Sequence, residues 1–168
     1  KVEIKNKIVM APMGAYGLIS DDGSFNQRAI DYYVERAKGG TGLIITSIVK
    51  VENEIDKTIM PAFPCATGNP AKFIQTSSEL TERVHAYGTK IFLQLTMGFG
   101  RSGAPILMAK QPVSASAIPN YWDPSVTCRE LSTEEVEKIV KKFGEAAKIA
   151  KASGYDGIEV HAVHEGFG

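Results

Sequence analysis

The chain has 168 residues with 19 Lys and Arg against 19 Asp and Glu, 43% hydrophobic residues, 16 Gly and 2 Cys. Zero formal net charge with both signs interspersed lacks the electrostatic footprint of nucleic-acid or anionic-membrane binders. The longest apolar stretches, around Leu43-Ile44-Ile45 and Ile91-Phe92-Leu93, fall far short of the ~20 residues that span a bilayer.

Taken in order, short apolar runs alternate with segments of helical period, the βαβα pattern of a parallel sheet. The runs cover residues 8–12, 42–46, 90–96 and 157–160, and their nearly continuous apolar character predicts strands buried on both faces. Between the first two, Ala29, Ile30, Tyr33, Val34 and Ala37 form one stripe closed by Gly39-Gly40. The second helix opens on Asn69-Pro70, an N-cap followed by proline at the first helical position. Its stripe runs through Phe73, Ile74, Leu80, Val84 and Tyr87 to a stop at Gly88. The third opens on Ser132-Thr133-Glu134-Glu135, a capping box, and continues through Val136, Ile139, Val140, Phe143, Ala146, Ala147 and Ala150 to Gly154.

Connections after the helices are short, whereas those after the strands, about 48–69 and 97–131, are long. That asymmetry is the one of a (βα)8 TIM barrel, whose strand-to-helix loops build the active site. A doubly wound nucleotide-binding sheet would run its first strand into a Gly-rich phosphate turn. Here that strand meets Ala11-Pro12-Met13-Gly14, and no G-x-G-x-x-G occurs. Four strands and three helices make about half of such a barrel, so residues 1–168 are read as its N-terminal half, with Lys1 in place of Met and an apolar final segment as two cut ends.

Candidate site residues sit where strands end. Pro12 withholds a donor, and Gly14 and Ala15 leave room for a flat ligand against the backbone. Gln94, a lone amide in an apolar strand, offers an acceptor and donors suited to an imide-type ring edge, or is satisfied by a neighbouring strand. His161 and His164 suit hydrogen bonding to a carbonyl or carboxylate oxygen, metal ligation with Glu165 nearby, or a structural role. Tyr16, Tyr121, Trp122, Arg101 and Arg129 populate the long loops without an assigned role. Cys65 and Cys128 form no C-x-x-C pair and indicate neither a disulfide framework nor a zinc knuckle, which predicts a cytoplasmic protein.

Five segments together resemble the Old Yellow Enzyme family: residues 4–13, Tyr32-Tyr33 with 36–40, 42–46, 92–96 with 98–101, and 154–166. Within it the chain is most similar to the branch of 2-enoate reductases, bile-acid-inducible flavin oxidoreductases and 2,4-dienoyl-CoA reductase. The resemblance implies FMN on the barrel top, with Ala11, Pro12, Met13 and Gly14 along its rings and Gln94 at its pyrimidine edge. It implies His161 and His164 as the grip on the substrate's activating carbonyl or carboxylate. The implied reaction is reduction of the C=C bond of α,β-unsaturated acids, thioesters or ketones by hydride from flavin N5, with NAD(P)H as reductant. A 4Fe–4S cluster and FAD are implied only for regions outside these residues.

Two positions depart from the family pattern. Gly14 stands where Thr or Cys commonly faces the flavin, and Phe167 stands where a proton-donating Tyr is expected, so no general acid is identified. Two other classes remain open: a non-catalytic half barrel that acts by self-association or by pairing with the missing half, and a metal-dependent lyase or hydrolase using His161 and His164.

Overall fold

The structure is a computed structural model and describes residues 1–14, 17–59 and 62–163. One all-parallel sheet carries it: β1 (Val9–Met10), β2 (Leu43–Ile45), β3 (Val49–Lys50), β4 (Lys90–Thr96) and β7 (Gly157–Val160). β4 is flanked on one side by β2, which pairs with its first half, and by β3, which pairs with its end. β7 lies on its other side and β1 lies outside β2. The four expected strand positions are present, and β3 is an addition that continues the line of β2 after a break. At that break the Thr46 hydroxyl accepts from the Gln94 backbone N–H at 3.2 Å, and the Ser47 backbone N–H donates to the Tyr33 hydroxyl at 2.8 Å.

The helices form where their caps predict. In α1 (Gln27–Lys38) the Asn26 side chain accepts from the Ala29 amide, and in α2 (Pro70–His85) Asn69 accepts from Lys72. The capping box of α3 (Thr133–Ala152) is complete, with Ser132 and Glu135 bonding each other's amides. Arg129 holds both Glu135 oxygens at 2.8 and 2.9 Å, and its hydrogen bonds, with that from the Ser132 amide, draw the carboxyl down to about 2. Gly40, Gly88 and Gly154 all leave the helices at positive φ, a conformation that costs a residue without a Cβ little.

The core lies between helices and sheet. Ile30, Tyr33 and Val34 of α1, Phe73, Leu80 and Val84 of α2, and Ala146 and Ala150 of α3 close on Ile44, Ile91, Leu93 and Leu95. Each large side chain buried this way contributes about 1.5–3 kcal/mol.

Burial departs from expectation at the margins. Tyr87 lies beyond α2 and is exposed, and Val136 and Val140 on the outer side of α3 are exposed at 44% and 65%. β1 and β7 are not buried on both faces: Val9, Ile158 and Val160 are exposed. The reason is topological, since both strands are edges of an open sheet and lack a neighbour on one side.

The 97–131 connection is also more ordered than a loop. It holds two single 3-10 turns (Gly100–Ser102 and Pro105–Leu107) and a parallel pair, β5 (Val113–Ser114) with β6 (Arg129–Glu130). Its Met97, Val113 and Leu131 form a second small core with Ile55 of the earlier loop and Ile139 of α3.

At the opposite end of the sheet, Asp156 ties three elements together. It accepts from His85 at 2.7 Å, from the Lys90 ammonium at 2.8 Å and from the Ile91 amide at 3.0 Å. Burial alone would raise its carboxyl, but the bonds from Lys90, Ile91 and His85 outweigh burial and hold it below the ordinary 3.8. A depressed acid supplies stability that is complete above its unfolded value and lost as pH falls through the folded one. Asp156→Asn is expected to lower the unfolding free energy by about 1–2 kcal/mol at neutral pH. Urea unfolding should show that deficit shrinking once the pH drops below 3.8.

Candidate functional site

The carboxyl ends of the strands open onto a cavity of about 710 Å³, within the range typical of small-molecule sites. Pro12 and Gly14 from the β1 exit, Gln94 on β4, and Glu159, Val160 and His161 at the end of β7 line it. Ile48 and Phe63 from one long loop and Gly98, Phe99 and Ser102 from the other complete the walls.

The pleat of β4 aims Gln94. Alternate residues Ile91, Leu93 and Leu95 point to the helices, which turns Gln94 to the cavity face. β7 keeps register beside it, Gln94 opposite Glu159, and the two side chains meet with the Gln94 Nε2 donating to Glu159 Oε1 at 2.7 Å. One step further the His161 amide donates to the Leu95 carbonyl at 2.8 Å, so His161 shares the side of β7 that carries Glu159.

The structure therefore brings Pro12, Gly14, Gln94 and His161 to one cavity. Ala11 and Met13 lie on the same short segment but outside the cavity lining, both exposed. His164 and Phe167, and with them Glu165 and Tyr16, lie outside the described residues. Of the remaining loop residues, Arg129 serves the α3 cap, and Arg101 bonds the Pro119 carbonyl at 2.9 Å. Trp122 donates to the Ser102 carbonyl at 2.8 Å, behind the cavity wall.

Three contributors escaped the sequence reading. Glu159 was legible in principle, because it precedes His161 by two residues and a strand has period two. Phe63 and Phe99 carried no such signal: they come from different loops and meet with their rings tilted at 46°, centroids 5.5 Å apart, only in the folded chain.

A buried polar cluster holds those loops. Glu52, 5% exposed, accepts from the amides of Glu54, Ile55 and Asp56 at 2.7, 2.9 and 3.2 Å, closing a tight turn around one carboxylate. The Lys50 ammonium, 3% exposed, donates to Asn53 Oδ1 at 3.1 Å and to the Asp56 carbonyl, and lies 4.0 Å from Asp56 Oδ2. That same Oδ2 accepts from the Phe99 amide, which fastens the β4 loop to the β3 loop. Burial pushes the Asp56 carboxyl up against the opposing pull of Lys50 and the Phe99 amide. Its Oδ1 is buried with no hydrogen-bond partner among the described residues.

A cavity at the carboxyl ends of parallel strands connected through helices defines the ligand face of a (βα) barrel. The chain belongs to the NADH:flavin oxidoreductase / NADH oxidase family, which it matches over residues 1–167. It is 60% identical over 167 residues to the cinnamate reductase of Clostridium sporogenes, covering 99% of this chain and 25% of that protein. It is 43% identical to the NADH oxidase of Thermoanaerobacter brockii, covering 96% of this chain and 24% of that protein. Among solved structures it superposes on the old yellow enzyme homologue from Zymomonas mobilis with a TM-score of 0.81 at 27% identity, over 98% of this chain and 46% of that one. The chain thus spans about a quarter of the length of those curated relatives and under half of that structure. Its sheet is part of a TIM barrel.

Gly98 is the tightest point of the cavity wall. Its φ is +156°, and a Cβ there would collide with the Asp56 carboxylate. Since Asp56 is buried and tethered, it has nowhere to retreat. Gly98→Ala is expected to cost about 1–3 kcal/mol and to break the hydrogen bond that the Phe99 N–H donates to Asp56 Oδ2. Hydrogen exchange should report this as faster exchange at Phe99 than in the wild type, with a lowered melting temperature.

Proposed function

We propose that residues 1–168 are the N-terminal half of an FMN-dependent barrel that reduces the C=C bond of α,β-unsaturated carboxylic acids, thioesters or ketones. The reading rests on one juxtaposition: Gln94 on β4 and His161 at the end of the neighbouring parallel strand line one cavity together with Pro12 and the side-chain-free Gly14. The identity with a cinnamate reductase supports the unsaturated acid as substrate class, and the identity with an NADH oxidase supports a nicotinamide reductant.

The residues present fit a flat heteroaromatic group. Gly14 leaves the wall open, since a Cβ there would meet nothing nearer than the Phe63 ring at 3.9 Å. A Cβ at this position would thus make only an ordinary contact, so the glycine is not forced by a clash at that atom. The group would lie along residues 11–14 with its polar edge toward the Gln94 amide. When bound, FMN supplies the hydride donor; the protein's part is to bind, orient and stabilise charge.

His161, with His164 beside it in sequence, donates hydrogen bonds to the carbonyl or carboxylate oxygen conjugated to the alkene. Negative charge grows on that oxygen as the β-carbon accepts hydride, so a preorganised donor binds the transition state more tightly than the ground state. Phe63 and Phe99 supply an apolar wall that excludes water from the reacting carbon.

The rest of the barrel would close against β7 and α3, where Ile158, Val160, Val136 and Val140 are exposed. Without it, these faces favour self-association. Two free, buried cysteines, Cys65 and Cys128, support a reducing, cytoplasmic setting. None of the described helices is long and apolar enough to cross a membrane.

Two measurements test this reading. In the full-length protein, His161→Ala should lower kcat/KM for a 2-enoate by about a hundredfold, the cost of losing one oxyanion donor, with flavin content unchanged; an unaltered rate constant would remove the assigned role. Expressed alone, the 168-residue chain should bind FMN weakly or not at all, and tight stoichiometric flavin in gel filtration would contradict the half-barrel reading.

A further inference from the structure

The Gln94–Glu159 pair has a polarity that the cavity does not otherwise impose. Both residues line the cavity, Gln94 is 5% exposed, and they stand opposite each other in the β4–β7 register. A terminal amide is nearly symmetric in shape, and an unrestrained Gln presents either its oxygen or its nitrogen to a ligand. A carboxylate accepts and does not donate, so the end of Gln94 that meets Glu159 Oε1 at 2.7 Å must be the nitrogen. Among the described residues no other side chain bonds this amide, and its Oε1 takes no hydrogen bond from them.

We propose that Glu159 is a positioning residue that fixes which end of Gln94 faces the ligand. By holding Nε2 across the strand pair, it leaves Oε1 as the acceptor at the cavity, which selects a ring edge bearing an N–H, as an imide does, over an edge offering acceptors alone. The register makes this economical: neighbouring parallel strands with side chains on one face hold the two groups at hydrogen-bond distance without a loop to order. Glu159 acts through Gln94 and need not touch the ligand. This inference rests on the reading above that a flavin's pyrimidine edge lies at Gln94.

The test is a double-mutant cycle on the full-length protein, stripped of flavin and titrated with FMN by fluorescence quenching. Gln94→Ala and Glu159→Gln are each expected to weaken FMN binding by about tenfold, the loss of one oriented hydrogen bond. The double variant should bind no more weakly than Gln94→Ala alone, because Glu159 has nothing left to orient. Equal weakening by Glu159→Gln in both backgrounds, or none in the wild-type background, overturns the proposal while leaving the flavin's place at Gln94 intact. An unchanged affinity in Gln94→Ala removes that place, and the proposal with it. Glu159→Ala, which deletes the carboxylate without introducing a second amide, carries the same expectations if Glu159→Gln yields no soluble protein. The visible flavin spectrum gives a readout separate from affinity: it should shift in Glu159→Gln but not further when Glu159→Gln is added to Gln94→Ala.

Discussion

The pleat of β4, pinned by parallel neighbours on both sides, is the constraint on which the rest depends. Because successive side chains alternate across a strand, packing Ile91, Leu93 and Leu95 against the helices obliges Gln94 to face the other way. A slip of one residue would bury the amide among apolar side chains and turn three large aliphatic groups into the cavity. The hydrophobic layer and the polar site are two faces of one register, so the energy that assembles the core also aims the chemistry. β7 inherits this geometry through its pairing and delivers Glu159 and His161 to the same side.

The cavity walls depend on a different force. Beside its buried Val51, Ile55 and Phe63, the loop after β3 is held by buried polar groups: Glu52 closing a turn on three amides, Lys50 spanning to Asn53 and Asp56, and Asp56 accepting from the Phe99 N–H. Such a network is strong only while each member is satisfied. Asp56 is the weak point of that network, with one oxygen bonded and one buried without a partner among the described residues. The unpartnered Asp56 oxygen and the close approach at Gly98 both lie beside the cavity. The opposite end of the sheet is fully satisfied around Asp156. This division is the one expected of a barrel, where one end stabilises and the other is free to evolve ligand contacts.

Much of the fold was legible in the residues. Asn69-Pro70 and the Ser132 to Glu135 capping box start helices for local reasons, since capping depends on atoms within one turn. The strand positions and helix stripes followed from periodicity, and the asymmetry of loop lengths identified the barrel. Local pattern failed at Val136, Val140 and Tyr87: an apolar residue at helical spacing marks a candidate face, and whether that face is covered depends on what packs there. β3 was invisible for a related reason. Its pairing depends on meeting the end of β4, not on a run of its own.

For the site, the sequence by itself determined which residues stand at strand ends, because strand period and turn chemistry are local properties. It therefore singled out Pro12, Gly14, Gln94 and His161. Only the tertiary structure decided that these converge on one cavity, that Phe63 and Phe99 close its side, and that Glu159 grips the Gln94 amide. Those are contacts between residues tens of positions apart, set by sheet register and loop anchoring. No window of neighbouring residues contains the energy of a contact made across strands.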